Sequence, residues 1–446
     1  MYTGFIGVIA DDLTGAMDAG MQLLAKNVQI RTALTVDDLD AVVAGADVVV
    51  ANTQSRNIDP RIAHGQVKAA LGKLLAGGCR AWYKKIDSTL RGNIGAELRA
   101  ALESGIFALV IVAPALPFNK RTTVNGVHYV DGVRLAEIEL AKDPFAPIAC
   151  SEVGEIIRNQ FEVPVGHLDL SAVRQGGAVL RKKAEEYLAA GIRVLAADAE
   201  EEQDLQNIAA AAGLLSGKTL LCGSAGLFQH FDRAYPIPGR SGEPRADIAL
   251  EELPVLVLSG SPAQMSKRQI RYAEVRRDGT VVIRCDVTAA PEAELTGSMQ
   301  RVAEIVVNHL RAGKNVVLDA AGESKESILL QSWGDRGRLD HYSALVQKLV
   351  RDTASAAAQA GISALVLFGG DTAVSALKGL GGQGIEIIGE VEPYIPLGRL
   401  IGGAYSGLPV VTKAGGFGGE KSLIRILAEL SSLKAGAQQR RQRHDE

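Results

Sequence analysis

Short runs of aliphatic and β-branched residues, apolar at nearly every position, recur along the whole chain. In the first half they are residues 5–10, 46–52, 81–86, 108–113, 193–197 and 219–222. In the second half they are residues 255–258, 280–284, 315–319, 364–368, 385–388 and 409–412. A strand with one wet face alternates apolar and polar residues, whereas a strand buried on both faces has no need to. Amphipathic stretches such as 62–76 and 177–190 lie between the runs and supply the crossovers that parallel strands require. The expected fold class is α/β, with open and mainly parallel sheets.

A chain of 446 residues is long enough for two or three such cores. Residues 234–254, AYPIPGRSGEPRADIALEELP, break the alternation with prolines, glycines and mixed charge, as an interdomain linker does. The expected division is an N-terminal domain over 1–240, a linker over 241–254, a C-terminal domain over 255–435 and a polar tail over 436–446. Charges nearly cancel, with 48 Lys+Arg against 51 Asp+Glu and a net −3. No general field therefore favours nucleic acid or an anionic membrane. The four cysteines are widely spaced, and the opening MYTGFIGVIADD has no basic segment ahead of an apolar one. The expectation is reduced thiols and a cytoplasmic protein.

Ligands of open parallel sheets bind beyond the carboxyl ends of the strands. In the first half those ends carry charge: Asp11-Asp12-Leu13-Thr14-Gly15, Asn52 to Arg56, and Lys84-Lys85-Ile86-Asp87-Ser88-Thr89-Leu90-Arg91-Gly92-Asn93. In the second half they are small and glycine-rich: Ser259-Gly260-Ser261, Gly369-Gly370-Asp371-Thr372, and Lys413-Ala414-Gly415-Gly416-Phe417-Gly418-Gly419. Carboxylates accept from sugar hydroxyls, while Arg and Lys hold a carboxylate through charge-assisted bonds. Glycines at strand–helix junctions let backbone N–H groups approach a polyphosphate. A polyol-acid site and a nucleotide site in one chain suggest phosphoryl transfer.

Plainer readings stand beside these. Asp12 with Thr14 also suits a cap for a helix over 15–25, and Asp87 with Ser88 a cap for one over 94–102. Glycines at strand ends also serve close helix packing, and Lys413 also suits a surface charge beside a turn. The Gly379–Gly384 run has the letters of a dinucleotide fingerprint, but it follows a helical stretch and leads into a strand, which reverses the required order. Gly217-Lys218-Thr219 lacks the first glycine of a P-loop and leads into a strand. No spacing among the seven histidines suits a metal. His128, beside the polar turn Asn125-Gly126, is the one that could line a sugar site.

Taken together, the charged segments, Arg121-Thr122-Thr123-Val124-Asn125-Gly126-Val127-His128, Ala141-Lys142-Asp143-Pro144 and the Lys413–Gly418 loop resemble the four-carbon acid sugar kinases, which phosphorylate threonate, erythronate and related tetronates. The resemblance spans nearly the whole chain. It implies an acid-sugar domain followed by an ATP domain, with the active site in the cleft between them. It puts Asp12, Arg56, Lys84, Lys85, Ile86, Asp87, Ser88 and Arg91 at the substrate. It puts Ser259, Gly369, Gly370, Asp371, Thr372, Lys413, Ala414, Gly415, Gly416 and Phe417 at ATP. Ala414 stands where many relatives have serine. The intact Lys-Ile-Asp-Ser-Thr-Leu-Arg-Gly-Asn stretch is similar to the threonate/erythronate branch.

The resulting expectation is a kinase that uses ATP and Mg²⁺ to phosphorylate the 4-hydroxyl of D-threonate. D-erythronate or another tetronate, and a non-catalytic sensor of acid sugar and nucleotide, are the alternatives. Arg56 with Lys84 or Lys85 would hold the substrate carboxylate, and Asp12 and Asp87 the hydroxyls, with Asp12 first as base. Asp371, and less so Glu392, could bind the metal, whose ligand the sequence leaves unknown. Domain closure would turn on the linker. The alanine-rich stretch 354–360 suits either a core face or a homo-oligomer contact.

Overall fold

The computed structural model describes residues 4–142, 147–215, 218–237, 250–276, 279–287, 294–321 and 335–444. Its contacts divide the chain into two units, Met1–Ser241 and Gly242–Glu446.

The first unit opens with β1 (Phe5–Ala10), β2 (Ile30–Ala33), β3 (Val48–Asn52), β4 (Cys79–Lys85) and β5 (Leu109–Ala113). A three-stranded antiparallel sheet follows: β6 (Arg121–Val124), β7 (Val127–Val130) and β8 (Val133–Arg134). β9 (Val165–Leu168), β10 (Val194–Ala197) and β11 (Thr219–Gly223) return to the main sheet. Its spatial order is β2-β3-β1-β4-β11-β5-β10-β9, with every pairing parallel. β1, β3 and β5 are buried at every position, which is why these strands read as unbroken apolar runs. The chain leaves β1 toward β2 and β3 on one side and adds β4 on the other. The carboxyl ends of β1, β3 and β4 therefore flank the point where strand order reverses, and this is where an open sheet leaves a crevice.

The second unit contains β12 (Val255–Ser259), β13 (Val281–Arg284), β14 (Val316–Asp319), β15 (Ala364–Phe368), β16 (Gly384–Glu392), β17 (Ile395–Ile401) and β18 (Pro409–Lys413). They lie in the order β13-β14-β12-β15-β18-β17-β16. β13 to β15 and β18 are parallel with β12, while β17 runs antiparallel to both β16 and β18. Order reverses at β12, so Ser259, Gly369 and Lys413 stand together at neighbouring strand ends.

Four details refine the sequence reading. The β6–β7 hairpin turns on Asn125 and Gly126, at φ 52° and 75°; such an Asn-Gly pair favours a two-residue hairpin. β17 carries Pro396 and Gly398, which hid it from a strand pattern. Tyr235 packs its ring 5.0 Å from Phe231 and donates to the Thr219 carbonyl at 3.0 Å, so the start of the 234–254 stretch belongs to the first unit. The stretch read as a polar tail is helical to His444.

Residues 238–249 of the 234–254 stretch, Asp143-Pro144 and Gly217 lie outside the described residues. Ala354, Ala357 and Ala358 are buried within the second unit, on the helix Arg336–Ala360, so they form a core face. No helix among the described residues is long and apolar enough to cross a membrane.

Candidate active site

In the first unit the site begins where β1 stops. Asp12 caps the helix Leu13–Met21, its Oδ1 accepting from the Gly15 N–H at 2.7 Å and its Oδ2 from the Thr14 hydroxyl at 2.6 Å. The capping role is therefore real, and it leaves Asp12 with a second partner. Arg56, beyond β3, donates from Nη1 to Asp12 Oδ2 at 2.7 Å and from Nη2 to Asp12 Oδ1 at 2.8 Å. The same guanidinium grips Asp11 through Nε and Nη2 at 2.8 and 2.9 Å. Two carboxylates thus share one arginine. Burial pushes the Asp11 carboxyl up, but the charges and hydrogen bonds of Arg56, with Lys84 and Lys85 nearby, outweigh it and leave it low.

Beyond β4 the chain makes a tight loop. Leu90 is buried with φ at 58°, and Gln54 in the loop after β3 has φ 49°. Left-handed backbone at non-glycine residues costs on the order of 1 kcal/mol or more and persists where packing over-determines it. Within this loop Asp87 Oδ2 accepts from the Thr89 hydroxyl and from Arg91 Nε, both at 2.5 Å. Burial raises the Asp87 carboxyl, yet Arg91 and Arg56 win and hold it well below the usual range. Asp87 is thereby a fixed acceptor for hydroxyls.

The two lysines diverge. Lys84 is fully buried, donates to the Lys85 carbonyl at 2.9 Å and pairs with Glu97 on the helix Ile94–Glu103, also at 2.9 Å. Lys85 donates to the Ile86 carbonyl at 3.1 Å and has no ion pair among the described residues. Its Nζ lies 3.2 Å from where a Cβ on Gly15 would stand, so it faces the start of the capped helix. The sequence reading assigned the substrate carboxylate to Arg56 with a lysine. In the structure Arg56 and Lys84 are committed to protein carboxylates, because burying either charge without a partner would cost several kcal/mol.

His128 and Arg121 reach this loop from the hairpin. His128 is fully buried between Thr123 Oγ1 at 2.9 Å and the Ser88 carbonyl at 2.8 Å. Burial lowers its pKa to about 4, so it is a neutral strut. Arg121 donates from Nη1 to Ser88 Oγ. Asp18, one turn further along the capped helix, lies in the electrostatic reach of Lys85, Arg121 and Asp12, and burial raises its carboxyl. Neither Arg121 nor Asp18 stood out as a site residue in the sequence. Asp18 is a lone acid inside a helix, and Arg121 lies far along the chain from the other charged segments.

The second unit holds the glycine turns. Gly369 has φ 106°, and its N–H donates to the Lys413 carbonyl at 2.9 Å, which links β15 to β18. A Cβ on Gly260 would stand 2.4 Å from Thr372 Oγ1, and one on Gly415 2.1 Å from Ser261 Oγ. The three turns therefore touch through positions that only glycine fills. Gly370 and Thr372 lie in the first turn of the helix Gly370–Gly379, and Asp371, exposed, lies between them.

Lys413 is buried, not a surface charge. Its Nζ donates to the carbonyls of Ala414, Gly415 and Phe417 at 2.9, 3.2 and 3.1 Å, and it lies 4.4 Å from the Phe368 ring centroid. Burial brings its pKa down to about 7. Ser259 Oγ is buried without a hydrogen-bond partner among the described residues. Glu392 accepts from Arg425 Nη1 at 2.9 Å, while Asp371 stands exposed at the glycine turn. The Gly379–Gly384 run ends that helix and begins β16, as its reversed order requires.

Residues 6–231 match the family model of a sugar-binding N-terminal domain, and residues 256–423 that of a nucleotide-binding C-terminal domain. A D-threonate kinase of Salmonella typhimurium is 36% identical over 444 residues, covering 96% of this chain and 99% of the relative. The chain belongs to the four-carbon acid sugar kinase family. It is accordingly a phosphotransferase with a nucleotide-binding domain, and the sensor reading falls away.

A D-erythronate kinase of Heliobacterium modesticaldum is 30% identical, covering 92% of this chain and 93% of its own length. A 3-oxo-tetronate kinase of Pseudomonas fluorescens is 27% identical, with 96% and 98% covered. A solved Haemophilus influenzae protein shares the fold at TM-score 0.71 and 24% identity, covering 95% of this chain and all of that one.

Proposed function

We propose that this kinase transfers the γ-phosphoryl group of ATP to the 4-hydroxyl of D-threonate. The observation that carries the reading is the clustering of Asp12, Asp87 and Lys85 at the strand-order reversal of the sugar-binding unit. Fixed carboxylates there suit hydroxyls, and a buried ammonium suits the acid end of a small polyol acid. The D-threonate kinase at 36% identity supports threonate over erythronate, whose kinase stands at 30%.

The nucleotide fits the second unit on two counts: the glycine-rich strand ends gathered at the order reversal, where a Cβ on Gly416 would meet only open space, and the orphaned Ser259 hydroxyl. Ser259, Gly369, Gly370, Thr372 and the 413–417 loop would hold the phosphates, with Ala414 offering backbone in place of a side-chain hydroxyl. Mg²⁺ would neutralise phosphate charge, with the carboxylate of Asp371 at the glycine turn as its candidate ligand.

Phosphoryl transfer asks for alignment and charge compensation more than covalent help from protein groups. Arg56 locks the Asp12 carboxylate in one orientation, and Asp12 aligns and deprotonates the 4-hydroxyl. Asp87, held strongly anionic, is a poor proton acceptor and positions a neighbouring hydroxyl. Ile86, Ser88 and Arg91 shape the loop that presents it.

ADP release with D-threonate, L-threonate, D-erythronate, L-erythronate and 3-oxo-tetronate tests the reading. D-threonate should lead by about tenfold in kcat/KM, which is about 1.4 kcal/mol of transition-state discrimination. A different leader renames the substrate, and no turnover with any of them rejects the assignment.

A further inference from the structure

Most cations lining the sugar site are balanced by protein carboxylates. Arg56 has Asp11 and Asp12, Lys84 has Glu97, and Arg91 has Asp87. Arg121 has no ion pair among the described residues. Its Nη1 donates to a serine hydroxyl, and its Nε is buried with no hydrogen-bond partner there. Asp87, Asp18 and Asp131 act on it only through space, and Arg91 opposes them.

A half-buried guanidinium with an idle inward N–H is costly unless an anion completes it. Its place is also tightly set. Arg121 exchanges backbone hydrogen bonds with Leu116 at 2.8 and 3.1 Å, and the same hairpin holds the Ser88 carbonyl through His128. Three features thus converge beside the Asp87 loop: a fixed arginine, an unfilled donor, and Lys85 in electrostatic reach of the same Asp18.

We propose that Arg121 is a specificity-determining residue whose guanidinium receives the carboxylate of the acid sugar, together with Lys85, and so selects polyol acids over neutral polyols. The proposal rests on the tetronate kinase reading above and deepens it. A planar guanidinium meets a carboxylate through two parallel bonds, a geometry that a neutral terminal CH₂OH cannot match. Burial lowers the arginine's own pKa, so the free site favours an arriving anion.

The test compares Arg121→Gln and Arg121→Lys with the unaltered enzyme, on D-threonate and on the neutral tetritol threitol. Arg121→Gln should raise KM for threonate by about 30-fold or more, with a smaller change in kcat and an unchanged KM for ATP. The preference for threonate over threitol should fall by at least about tenfold, and added guanidinium ion should restore part of it. Arg121→Lys keeps the charge without the fork and should fall between; if the glutamine variant does not fold, the lysine variant carries the comparison.

An unchanged KM for threonate, or equal losses on threonate and threitol, would overturn the assignment. An unaltered enzyme inactive on every tetronate would instead sink the kinase reading beneath it.

Discussion

Nζ of Lys84 lies 2.9 Å from Oε2 of Glu97, and both side chains are 1% exposed. The pair sits directly under the site: Glu97 also accepts from the Ser55 hydroxyl, one residue before Arg56. Breaking a buried pair from one side leaves an uncompensated charge, so Lys84→Met should lower stability by about 3–5 kcal/mol. Lys84→Met combined with Glu97→Gln should recover much of that loss. Urea unfolding of the two singles and the double reads this directly, and strictly additive losses would show that the two are not coupled.

Asp12 has two jobs that one substitution separates. Asparagine caps a helix about as well as aspartate, so Asp12→Asn keeps the start of helix Leu13–Met21 while removing the charge that Arg56 holds. We expect kcat to fall by about 100-fold or more, with nucleotide affinity unchanged by equilibrium titration. An unchanged kcat would remove Asp12 from the chemistry.

His128 makes the first unit acid-sensitive. Its folded pKa is about 4, below an unfolded value of about 6.5. Between those values the unfolded chain binds the extra proton, so stability is fully present above pH ~6.5 and declines as pH falls toward 4. The loss is on the order of 3 kcal/mol. Denaturant unfolding from pH 7 to 4 should show a steeper decline for the unaltered protein than for His128→Gln; parallel curves would contradict it.

Lys413, with a pKa of about 7, should link nucleotide binding to pH. The ammonium form favours a polyphosphate, so binding takes up a proton above pH 7 and affinity falls as pH rises. Calorimetric titration with ADP at pH 7.5–9, in buffers of different ionisation enthalpy, should detect that uptake. Lys413→Met should bind more weakly because three loop carbonyls lose their donor, and its uptake should vanish.

The strands were legible because burial on both faces leaves a local signature. β1 and β15 were expected at the residues where they lie, and β5 within one residue. β2 (IRTA) and β9 (VGHL) are four residues long and interrupted by polar or glycine positions, so no apolar run announces them. The site was legible as motifs at strand ends, since a parallel sheet presents its loops on one edge. The partnership of each charge was not. Arg56 and Lys84 looked equivalent to Lys85 as anion holders, and only burial beside Glu97 or between two aspartates distinguishes them.

The α/β class, the polar strand ends of one half and the glycine-rich strand ends of the other can all be read along the chain. Those properties are set by side-chain chemistry and local periodicity. Tertiary structure decided which cations are already balanced, that His128 is a neutral strut, that Lys413 organises its own loop, and that Arg121 reaches the Asp87 loop from a hairpin. Charge compensation depends on distance and solvent exclusion between residues far apart in the chain: Asp11 and Arg56 meet across 45 positions, and Arg121 meets Ser88 across 33.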